Sequence, residues 1–474
     1  MKLGLTYNDV LLVPKKTLLS SRSEADTKTF FTKNIQLNIP LVSSNMATVT
    51  EHKMAIAMAR EGGLGVIHQF NTIAEQVYEV RRVKRSTSFV IDDPLSVHPD
   101  ISIKEAVQIM KTESVTSLLI IDRYNQELVG IFTSRDYLFE DDENKLIHQV
   151  MTKKEKLITA DSGISMEEAK KILHQHRIEK LPLLQVGKVK GLITTKDIKR
   201  LENWPQAARD AKGRLLVGAA VGVKDTLERA QALIAAGADV LILDVAHAHS
   251  NSVIQCLKEL KANFKVEVMV GNIATVEAAK ELIAAGADGL KVGIGPSAVC
   301  TTRIVAGSGV PQLTALLDIC AVAKSYGVPV TADGGLKHSG DICKALAAGA
   351  STIYSGSLFA GTDEAPGIIM MKDGKRYKKY QGSASYESGH VRLEHSTGQQ
   401  IKDRIDTFVE GVSNLVDYKG PVSEVIKNLM RGVQSGISYC GARNLQEMQH
   451  NAEFMQITSA GWEESKSRGM KVSE

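Results

Sequence analysis

Short apolar runs alternate with segments of helical periodicity along most of this chain, and the alternation predicts repeated strand–helix units. Eight runs read as strands, at residues 39–43, 63–68, 215–221, 240–244, 266–270, 289–293, 328–332 and 352–355. Their regular spacing favours one closed parallel barrel over an open doubly wound sheet. Three helical segments end in Ala-Ala-Gly-Ala, at 235–238, 284–287 and 347–350, where we expect a left-handed glycine to end the helix. The predicted fold is therefore an α/β (β/α)8 TIM barrel.

The stretch from 88 to 202 differs, with less glycine, more Lys and Glu, and an internal repeat. Residues 102–110 match 165–173, and residues 130–136 match 191–197. Each copy predicts a helix, two strands and a second helix, a unit too small to bury a core alone. We therefore predict a barrel domain at 1–87 and 203–474, interrupted after its second strand by a paired domain at 88–202. Its first copy spans about 95–150 and its second about 151–202.

Beyond residue 365 the pattern changes again. Residues 374–382 predict a hairpin, and residues 415–441 predict a strand and a helix that return to the barrel. Between them, residues 386–402 are polar and weakly periodic, which is typical of a long loop that acts as a mobile lid.

The composition of the chain mainly excludes classes of protein, such as nucleic-acid-binding, secreted and membrane-spanning proteins. The 474 residues are 43% hydrophobic and 24% charged, as in soluble globular proteins of two or three domains. A net charge of +4 and an aromatic content of 5% give no indication of a nucleic-acid surface. The N-terminus lacks a signal-peptide pattern, and no apolar run is long enough to span a membrane. Five scattered cysteines without metal-site spacing fit a reducing compartment, so we expect a cytoplasmic protein.

One cysteine ends the glycine-rich turn after the sixth predicted strand. Residues 289–303 read GLKVGIGPSAVCTTR. The glycines allow the backbone to approach a ligand, while Thr301, Thr302 and Arg303 place hydroxyls and a positive charge beside Cys300. An ordinary buried cysteine is the alternative interpretation. The motifs on both sides of the cysteine favour a nucleophile.

Polar residues also follow other predicted strands, at the end where barrels place their active sites. They are Asn45, Asp244, Asn272, the Asp333-Gly334-Gly335 turn and the Ser355-Gly356-Ser357 turn. The glycine–serine turns after strands seven and eight predict a phosphate site. A phosphorylated substrate beside a nucleophilic thiol follows. A Rossmann fingerprint at 293–298 lacks its acidic partner and βαβ context, so it is not favoured.

Taken together, the motifs resemble the IMP dehydrogenase and GMP reductase superfamily. They are Gly293-Ile-Gly-Pro with Cys300-Thr-Thr-Arg, Ala332-Asp-Gly-Gly, Gly356-Ser, Gln381-Gly, Glu410-Gly, Tyr418-Lys-Gly and Tyr439-Cys-Gly. The repeated unit resembles a tandem cystathionine-β-synthase (CBS) pair, or Bateman module. The resemblance implies a purine nucleoside monophosphate substrate, a nicotinamide cofactor, and a homotetramer or octamer. It also implies adenine or guanine nucleotide effectors at the CBS pair, and no membrane or nucleic-acid partner.

The resemblance further implies roles for individual residues. In that family the cysteine attacks C2 of the purine, so Cys300 would form a thioimidate and Thr302 would help activate water or ammonia. Substrate would be held by Asn45, Asp333, Gly334, Gly335, Gly356, Ser357, Tyr380, Gly382 and Glu410. The cofactor would contact Asp244, Gly293, Ile294 and Gly295. Effectors would contact Thr133, Asp136, Thr194 and Asp197, although Thr and Asp at such positions also cap helices. A K+ site near Gly295, Ser297 and Cys300 stays open, because Ser297 and Ala298 replace the usual Gly-Ser.

The direction of the reaction depends on the flap before Glu410. Dehydrogenases carry an Arg-Tyr pair there, whose arginine activates water, and alignment on Glu410-Gly and Tyr418-Lys-Gly places Ser396-Thr397 at that position. The pair Arg376-Tyr377 lies upstream, in the predicted hairpin. General-base assistance is typically worth roughly 10²–10⁴-fold, so its loss weighs against the dehydrogenase.

Other residues bear on the same choice. Asn45-Met46 and Asp244-Val-Ala resemble reductase loops, and Glu387 is a candidate for the reductase's catalytic glutamate, with a solvated loop glutamate as the alternative. The flap length and the CBS insertion are more typical of dehydrogenases. We predict NADPH-dependent reduction of GMP to IMP and ammonia through Cys300. The alternatives are an NAD-dependent IMP dehydrogenase that makes XMP, and a non-catalytic nucleotide-sensing protein.

Overall fold

A computed structural model describes residues 1–86, 90–92, 94–113, 115–386 and 409–466. The chain divides into two compact units. The barrel unit comprises Met1–Ser86, Gln206–Asp210 and Leu215–Glu474, and the insertion unit comprises Thr87–Pro205 and Ala211–Arg214. Among the described residues, no helix is long and apolar enough to cross a membrane.

Eight parallel strands close the barrel in the order β3-β4-β5-β6-β7-β8-β1-β2. The strands are β1 (Leu41–Ser43), β2 (Leu64–Ile67), β3 (Gly218–Val221), β4 (Val240–Asp244), β5 (Glu267–Ile273), β6 (Gly289–Val292), β7 (Val330–Asp333) and β8 (Thr352–Ser355). Each one overlaps a predicted apolar run, so the TIM-barrel prediction is confirmed. Two details differ from the prediction. Asn272 lies inside β5 rather than after it, next to an irregularity in the β5–β6 register, and Asp333 is the last residue of β7 rather than the first residue after it.

Eight principal helices accompany the barrel strands. They are α1 (His52–Arg60), α2 (Ile73–Ser86), α3 (Thr226–Ala236), α4 (Asn251–Asn263), α5 (Val276–Ala284), α6 (Gln312–Ser325), α7 (Ser339–Ala347) and α8 (Val422–Tyr439). Gly237, Gly286 and Gly349 follow α3, α5 and α7 with φ of 101°, 102° and 106°. These are the left-handed glycines that the Ala-Ala-Gly-Ala repeats predict, and they reverse the chain toward the next strand.

The interior of the barrel is filled by apolar side chains from its strands, including Val66, Ile242 and Met269. A small hairpin, Thr29–Phe30 with Gln36–Leu37, adds Phe31 and Leu37 to the same cluster. Burying a side chain of the size of Phe31 stabilises a fold by roughly 1.5–3 kcal/mol. The resulting solid core leaves the carboxyl ends of the strands as the place for chemistry.

A three-stranded antiparallel sheet follows β8 in the chain. Met370–Lys372, Lys375–Gln381 and Ser413–Asp417 pair in that order. The predicted hairpin at 374–382 is therefore corrected: its turn is Asp373–Gly374, and residues 375–381 form the middle strand. The predicted return strand and helix at 415–441 correspond to Ser413–Asp417 and α8.

Short elements complete the barrel unit. They are the strands Val10–Leu12 and Phe454–Gln456, which pair with each other, the helices Thr302–Val305, Leu445–Asn451 and Ser459–Glu464, and the 3-10 turns Tyr7–Asp9 and Arg22–Glu24.

The insertion unit contains two copies of one motif, as the internal repeat predicts. The first copy is Ile103–Thr112, Ser117–Ile121, Leu128–Thr133 and Ser134–Tyr137, and the second is Met166–His176, Lys180–Gln185, Lys188–Thr194 and Thr195–Glu202. Ser102 and Ser165 begin the first helix of each copy with the same capping box, closed by Glu105 and Glu168.

Short edge strands extend each copy into a four-stranded sheet. Ser96–Val97 and Thr152–Lys153 flank the first copy, and Ala160–Asp161 and Ile91–Asp92 flank the second. Ile91–Asp92 precedes the first copy in the chain yet pairs with the second, so the sheet of the second copy includes a strand from before the first. Assignment of this unit to the CBS family stays a prediction.

Candidate active site

Cys300 lies in the loop between β6 and α6 and is the partly exposed cysteine of the chain. The other four, Cys256, Cys320, Cys343 and Cys440, are buried. Burial raises the pKa of each of their thiols, to about 12 for Cys320 and for Cys343. Because only a thiolate is a strong nucleophile, Cys300 is the thiol placed for reaction.

A short chain of contacts connects Cys300 to a carboxylate. Thr302 Oγ1 lies 3.2 Å from Cys300 Sγ and donates a hydrogen bond of 2.7 Å to Glu410 Oε2. With its own proton directed at Glu410, the hydroxyl of Thr302 can accept the proton of the thiol. The three side chains therefore form a path along which a proton can move between the reaction centre and a carboxylate.

Backbone pairing holds Glu410 beside the cysteine loop. Thr301 N donates to Glu410 O at 2.8 Å, and Val412 N donates to Val299 O at 3.0 Å. Gly382 and Gly411 allow this approach, because a Cβ on either residue would lie 2.9–3.2 Å from Val299 O. Glu410 and Gly382 were predicted as substrate ligands. The contacts place Glu410 against Thr302 and give Gly382 a packing role, while their substrate roles stay predictions.

A buried lysine missed in the sequence joins the polar residues at the strand ends. Lys291 Nζ lies 2.8 Å from Asp244 Oδ1 and 2.6 Å from Asp333 Oδ2, and it also donates to Asn272 Oδ1. Burial lowers the pKa of Lys291, but the two carboxylates together raise it above its ordinary value. The lysine is thus charged and fixes both carboxylates. A charged residue inside an otherwise apolar strand was the available signal.

Further hydrogen bonds extend this cluster to the first and eighth strands. Asn45 Nδ2 donates to Asp244 Oδ2 at 2.8 Å, and Tyr354 OH donates to Asn45 Oδ1 at 2.8 Å. Asn272 Nδ2 donates to Asp333 Oδ2, also at 2.8 Å. The structure therefore brings together the predicted residues from strands one, four, five and seven.

The two predicted phosphate turns lie on the same face of the barrel. Gly334 and Gly335 adopt φ of 85° and 79°, a conformation that glycine tolerates best. Lys419 Nζ donates to Ser357 O at 2.7 Å and thereby steadies the turn after β8. A Cβ on Gly356 would lie 2.6 Å from Tyr380 OH, so this glycine permits close approach of the predicted ligand Tyr380.

Ser44 lies in the polar loop after β1, next to the predicted ligand Asn45, although no role was assigned to it from the sequence. Its Oγ is buried and has no hydrogen-bond partner in the described part of the chain. The hydroxyl borders the turn after β8, 3.1 Å from where a Cβ on Gly356 would stand. Because an unpaired buried hydroxyl is costly, its position beside the predicted phosphate turn suits a ligand that supplies the missing bond.

The glycines predicted to contact cofactor have neighbours within the protein. A Cβ on Gly293 would meet Asp333 O at 2.1 Å, one on Gly295 would meet Arg303 Cγ at 2.5 Å, and Ile294 O accepts from Arg303 Nε at 3.3 Å. No group of three or more His, Cys, Asp or Glu side chains in the described ranges could hold a metal ion. The cofactor contacts and the K+ site at Gly295, Ser297 and Cys300 stay predictions.

Other predicted positions are less informative. Asp136 Oδ2 accepts from Thr133 N and Thr133 Oγ1 at 2.6 and 2.7 Å, which is the helix-capping alternative, and an effector role there stays a prediction. Thr194 ends the last strand of the second copy, and the side chain of Asp197 lies outside the described part of the chain. Glu387, Ser396 and Thr397 also lie outside the described residues.

The proteins similar to this chain carry two different names: the curated relatives are IMP dehydrogenases, and the solved structures are GMP reductases. A family model described as "IMP dehydrogenase / GMP reductase domain" matches residues 4–468. A curated inosine-5′-monophosphate dehydrogenase of Nitrosopumilus maritimus is 50% identical over 469 residues, covering 98% of each chain. One from Aquifex aeolicus is 47% identical over 471 residues, covering 98% of this chain and 95% of that one.

Among solved structures, two of a GMP reductase from Trypanosoma brucei are similar. Its complex with guanosine 5′-monophosphate has a TM-score of 0.88 and 43% identity, covering 99% of this chain and 98% of that one. Its complex with guanosine 5′-triphosphate has a TM-score of 0.77 and 40% identity, covering 97% of this chain and 99% of that one.

Proposed function

Because the chain belongs to the IMP dehydrogenase / GMP reductase family, and is therefore a purine nucleotide oxidoreductase, we propose that it reduces GMP to IMP and ammonia with NADPH. The observation that carries the proposal is the absence of an Arg-Tyr pair between Gly382 and Glu410. In that stretch Arg392 is followed by leucine and Arg404 by isoleucine.

The Arg-Tyr pair upstream of the flap is engaged elsewhere. The guanidinium of Arg376 lies 4.3 Å from the ring centroid of Tyr418, and Tyr377 pairs with Met370 and Asp417 within the three-stranded sheet. Tyr418 N also donates to Arg376 O. These contacts support a structural role for this arginine rather than the activation of water.

The described side chains suit a nucleoside monophosphate. Asp333, fixed by Lys291 and Asn272, offers a carboxylate to ribose hydroxyls, while Ser44 and the turn at Gly356 offer donors to a phosphate. Asp244, held by Lys291 and Asn45, presents a second oriented acceptor that suits the ribose of a nicotinamide cofactor. NADPH, when bound, supplies the hydride that C2 of the purine receives.

Cys300 and the Thr302–Glu410 pair account for the other steps. The thiolate of Cys300 adds to C2 of GMP, and the 2-amino group leaves as ammonia after taking a proton by way of Thr302. The resulting thioimidate has a C–S bond that breaks after C2 is reduced, which returns Cys300 as a thiolate. In sum, GMP, NADPH and two protons give IMP, ammonium and NADP+.

A test is to follow the absorbance of the reduced cofactor with the purified protein in both directions. We expect NADPH to be consumed with GMP, and little or no NADH to form from IMP and NAD. Rapid formation of NADH from IMP and NAD would contradict the proposal that the chain is a GMP reductase.

IMP dehydrogenase is the second candidate, because the curated relatives that are 47–50% identical carry that name. The Thr302–Glu410 pair also offers a base for water, so this reaction has a catalyst even without the flap arginine. XMP formed from IMP and NAD distinguishes the two. A non-catalytic sensor is disfavoured by the intact path from Cys300 to Glu410.

For the insertion unit we propose a CBS pair that binds purine nucleotides near Thr133, Asp136, Thr194 and Asp197. The doubled fold and the solved relative named with guanosine 5′-triphosphate support regulation by such nucleotides. Assembly into a homotetramer or octamer and a cytoplasmic location stay predictions. Added GTP or ATP that leaves turnover unchanged at all concentrations would contradict the regulatory proposal.

A further inference from the structure

The loop that carries Cys300 has two limbs joined by a short helix. Residues 293–299 rise from β6 to Cys300, the helix Thr302–Val305 follows, and residues 306–311 descend to α6. Arg303 lies in this helix, three residues beyond Cys300. Its guanidinium contacts neither Glu410 nor the Lys291 cluster in any hydrogen bond that the structure gives for it, so the proton path does not use it.

The guanidinium of Arg303 instead joins the two limbs. Its Nε donates to Ile294 O on the rising limb at 3.3 Å, and its Nη2 donates to Val310 O on the descending limb at 2.7 Å. Hydrogen bonds from a charged donor are stronger than neutral ones, and the planar guanidinium fixes two directions at once. A single side chain therefore closes the base of the loop.

The side chain of Arg303 packs against two glycines, and any larger residue at either position would clash with it. A Cβ on Gly295 would lie 2.5 Å from Arg303 Cγ, and one on Gly309 would lie 2.9 Å from Arg303 Cγ and Nε. One glycine belongs to each limb. By contrast, a Cβ on Gly307 would meet nothing within 4 Å, although its φ of 67° is also left-handed.

We propose that Arg303 is a positioning residue, whose bridge between the two limbs holds the Cys300 thiol and Thr302 at the distance that attack on the substrate requires. The inference rests on the proposed role of Cys300 as nucleophile, but not on the direction of the reaction. An error of about 1 Å in the placement of a reacting group costs on the order of 10²-fold in rate. Substrate contacts made by Asp333 and the turn at Gly356 lie outside this loop, so the bridge acts on turnover rather than on nucleotide affinity.

The test compares four variants with the parent: Arg303→Leu, Arg303→Lys, Gly295→Ala and Gly307→Ala. The readouts are kcat and KM for the nucleotide in whichever reaction the parent catalyses, the rate at which iodoacetamide alkylates Cys300, and the thermal midpoint. We expect Arg303→Leu to lose roughly 10- to 100-fold in kcat with KM nearly unchanged. Arg303→Lys should recover part of kcat, because the ammonium keeps the charge and the donors but lacks the planar fork that points at both limbs.

Comparing Gly295→Ala with Gly307→Ala distinguishes loss of the Arg303 bridge from the effect of backbone strain alone. Gly295 and Gly307 have φ of 82° and 67°, so alanine strains the backbone similarly at both. Gly295→Ala also displaces Arg303. Because Gly295 is itself a predicted cofactor contact, the comparison uses the alkylation rate measured without cofactor, in which Gly295→Ala should resemble Arg303→Leu and Gly307→Ala should resemble the parent.

Equal losses in the two alanine variants, or an unchanged kcat in Arg303→Leu, would overturn the inference. A raised KM with unchanged kcat would also overturn it. Failure of the proposed role of Cys300 gives a different result, because a Cys300→Ala variant would then keep its turnover.

Discussion

Ser44 has a buried hydroxyl that the protein itself does not satisfy within the described residues. We predict that Ser44→Ala leaves the thermal midpoint unchanged or slightly raised, because no hydrogen bond is lost in the free protein. The KM for the nucleotide should rise by roughly 10-fold, the equivalent of about 1.4 kcal/mol for a hydrogen bond to a charged group.

The matched control for Ser44 is Thr50→Val. Thr50 Oγ1 donates to Ser44 O at 2.7 Å and lies 2.9 Å from Ser43 Oγ. Its loss should lower the thermal midpoint and leave KM largely intact. If Ser44→Ala lowers the midpoint as Thr50→Val does, with no change in KM, the hydroxyl is structural and the ligand assignment is wrong.

Glu410→Gln tests whether the carboxylate of Glu410 takes part in the proton path. Glu410→Gln keeps the shape of the side chain and a hydrogen-bond partner for Thr302, but it removes the carboxylate that can take or give a proton. We expect kcat to fall by roughly 10²–10⁴-fold, whether or not KM also changes through the substrate contact predicted for Glu410. Steady-state kinetics of Glu410→Gln, with Thr302→Ser as the variant that retains a hydroxyl, measure this directly. A near-parental kcat for Glu410→Gln would remove Glu410 from the path.

Most residues of the site could be predicted from the sequence, but the ion pairs and hydrogen bonds between them could not. Cys300, Thr302, Asp244 and Asp333 follow recognisable strand ends, so their types and spacing pointed to them. Lys291 was missed because it occupies an apolar run, where only the three-dimensional register shows that its side chain meets two carboxylates. Ser44 lies in the polar loop after the first predicted strand, but no role could be assigned to it, since nothing local distinguishes a satisfied serine from an unsatisfied one.

Among the secondary-structure elements, two hairpin turns differ in how well their first residue suits a left-handed backbone conformation. Asp373–Gly374 has φ of 51° and 73°, and Val186–Gly187 has φ of 52° and 77°. Both are two-residue turns with left-handed backbones, which asparagine and aspartate tolerate and valine does not. Val186 is also 94% exposed, so packing does not compensate for the strain.

We therefore predict that Val186→Asn stabilises the insertion unit by roughly 1 kcal/mol, the cost of a left-handed conformation in an L-residue. Thermal or urea unfolding of the full chain measures it as an upward shift of the transition that belongs to this unit. The reverse exchange at the other turn, Asp373→Val, should destabilise the barrel unit. No shift with Val186→Asn would mean that the valine is not strained.

The elements also show what periodicity predicts well. All eight barrel strands appeared as apolar runs, because burial on both sides makes such runs long and regular. The duplicated motif appeared as an internal sequence repeat. The hairpin at 374–382 was displaced because Lys372 and Lys375 flank the turn and obscure the boundary between strand and loop. Asn272 was placed after β5 because a polar residue within a buried strand reads as its end.

At the scale of the whole molecule, a buried ion cluster lies where the chain leaves and rejoins the barrel unit. Lys84 Nζ, close to the end of α2, donates to Asp239 Oδ2 at 2.7 Å, to Asp210 Oδ2 at 3.0 Å and to Leu215 O at 3.0 Å. Asp239 Oδ2 also accepts from Val217 N at 2.8 Å. The cluster thereby connects the chain segment before the insertion, at Lys84, with the segment after it, at Asp210, Leu215 and Asp239.

Lys84→Met should destabilise the barrel unit by about 3–5 kcal/mol, because it leaves buried carboxylates without their cation. The exposed pair Lys427–Glu424 is the control, and Lys427→Met should leave the free energy of unfolding almost unchanged, because solvent screens an exposed ion pair. Denaturant unfolding of both variants measures the difference. Equal, small effects would show that the cluster contributes little to the barrel unit.

Removal of the amino group of GMP through Cys300 is the reaction that we propose for this chain. The most direct measurement is the amount of IMP and ammonia formed, by chromatography and ammonia assay, for each NADPH consumed with GMP. We predict one IMP and one ammonia per NADPH in the parent, and none in Cys300→Ala. No IMP from GMP and NADPH, together with XMP formed from IMP and NAD, would contradict the account.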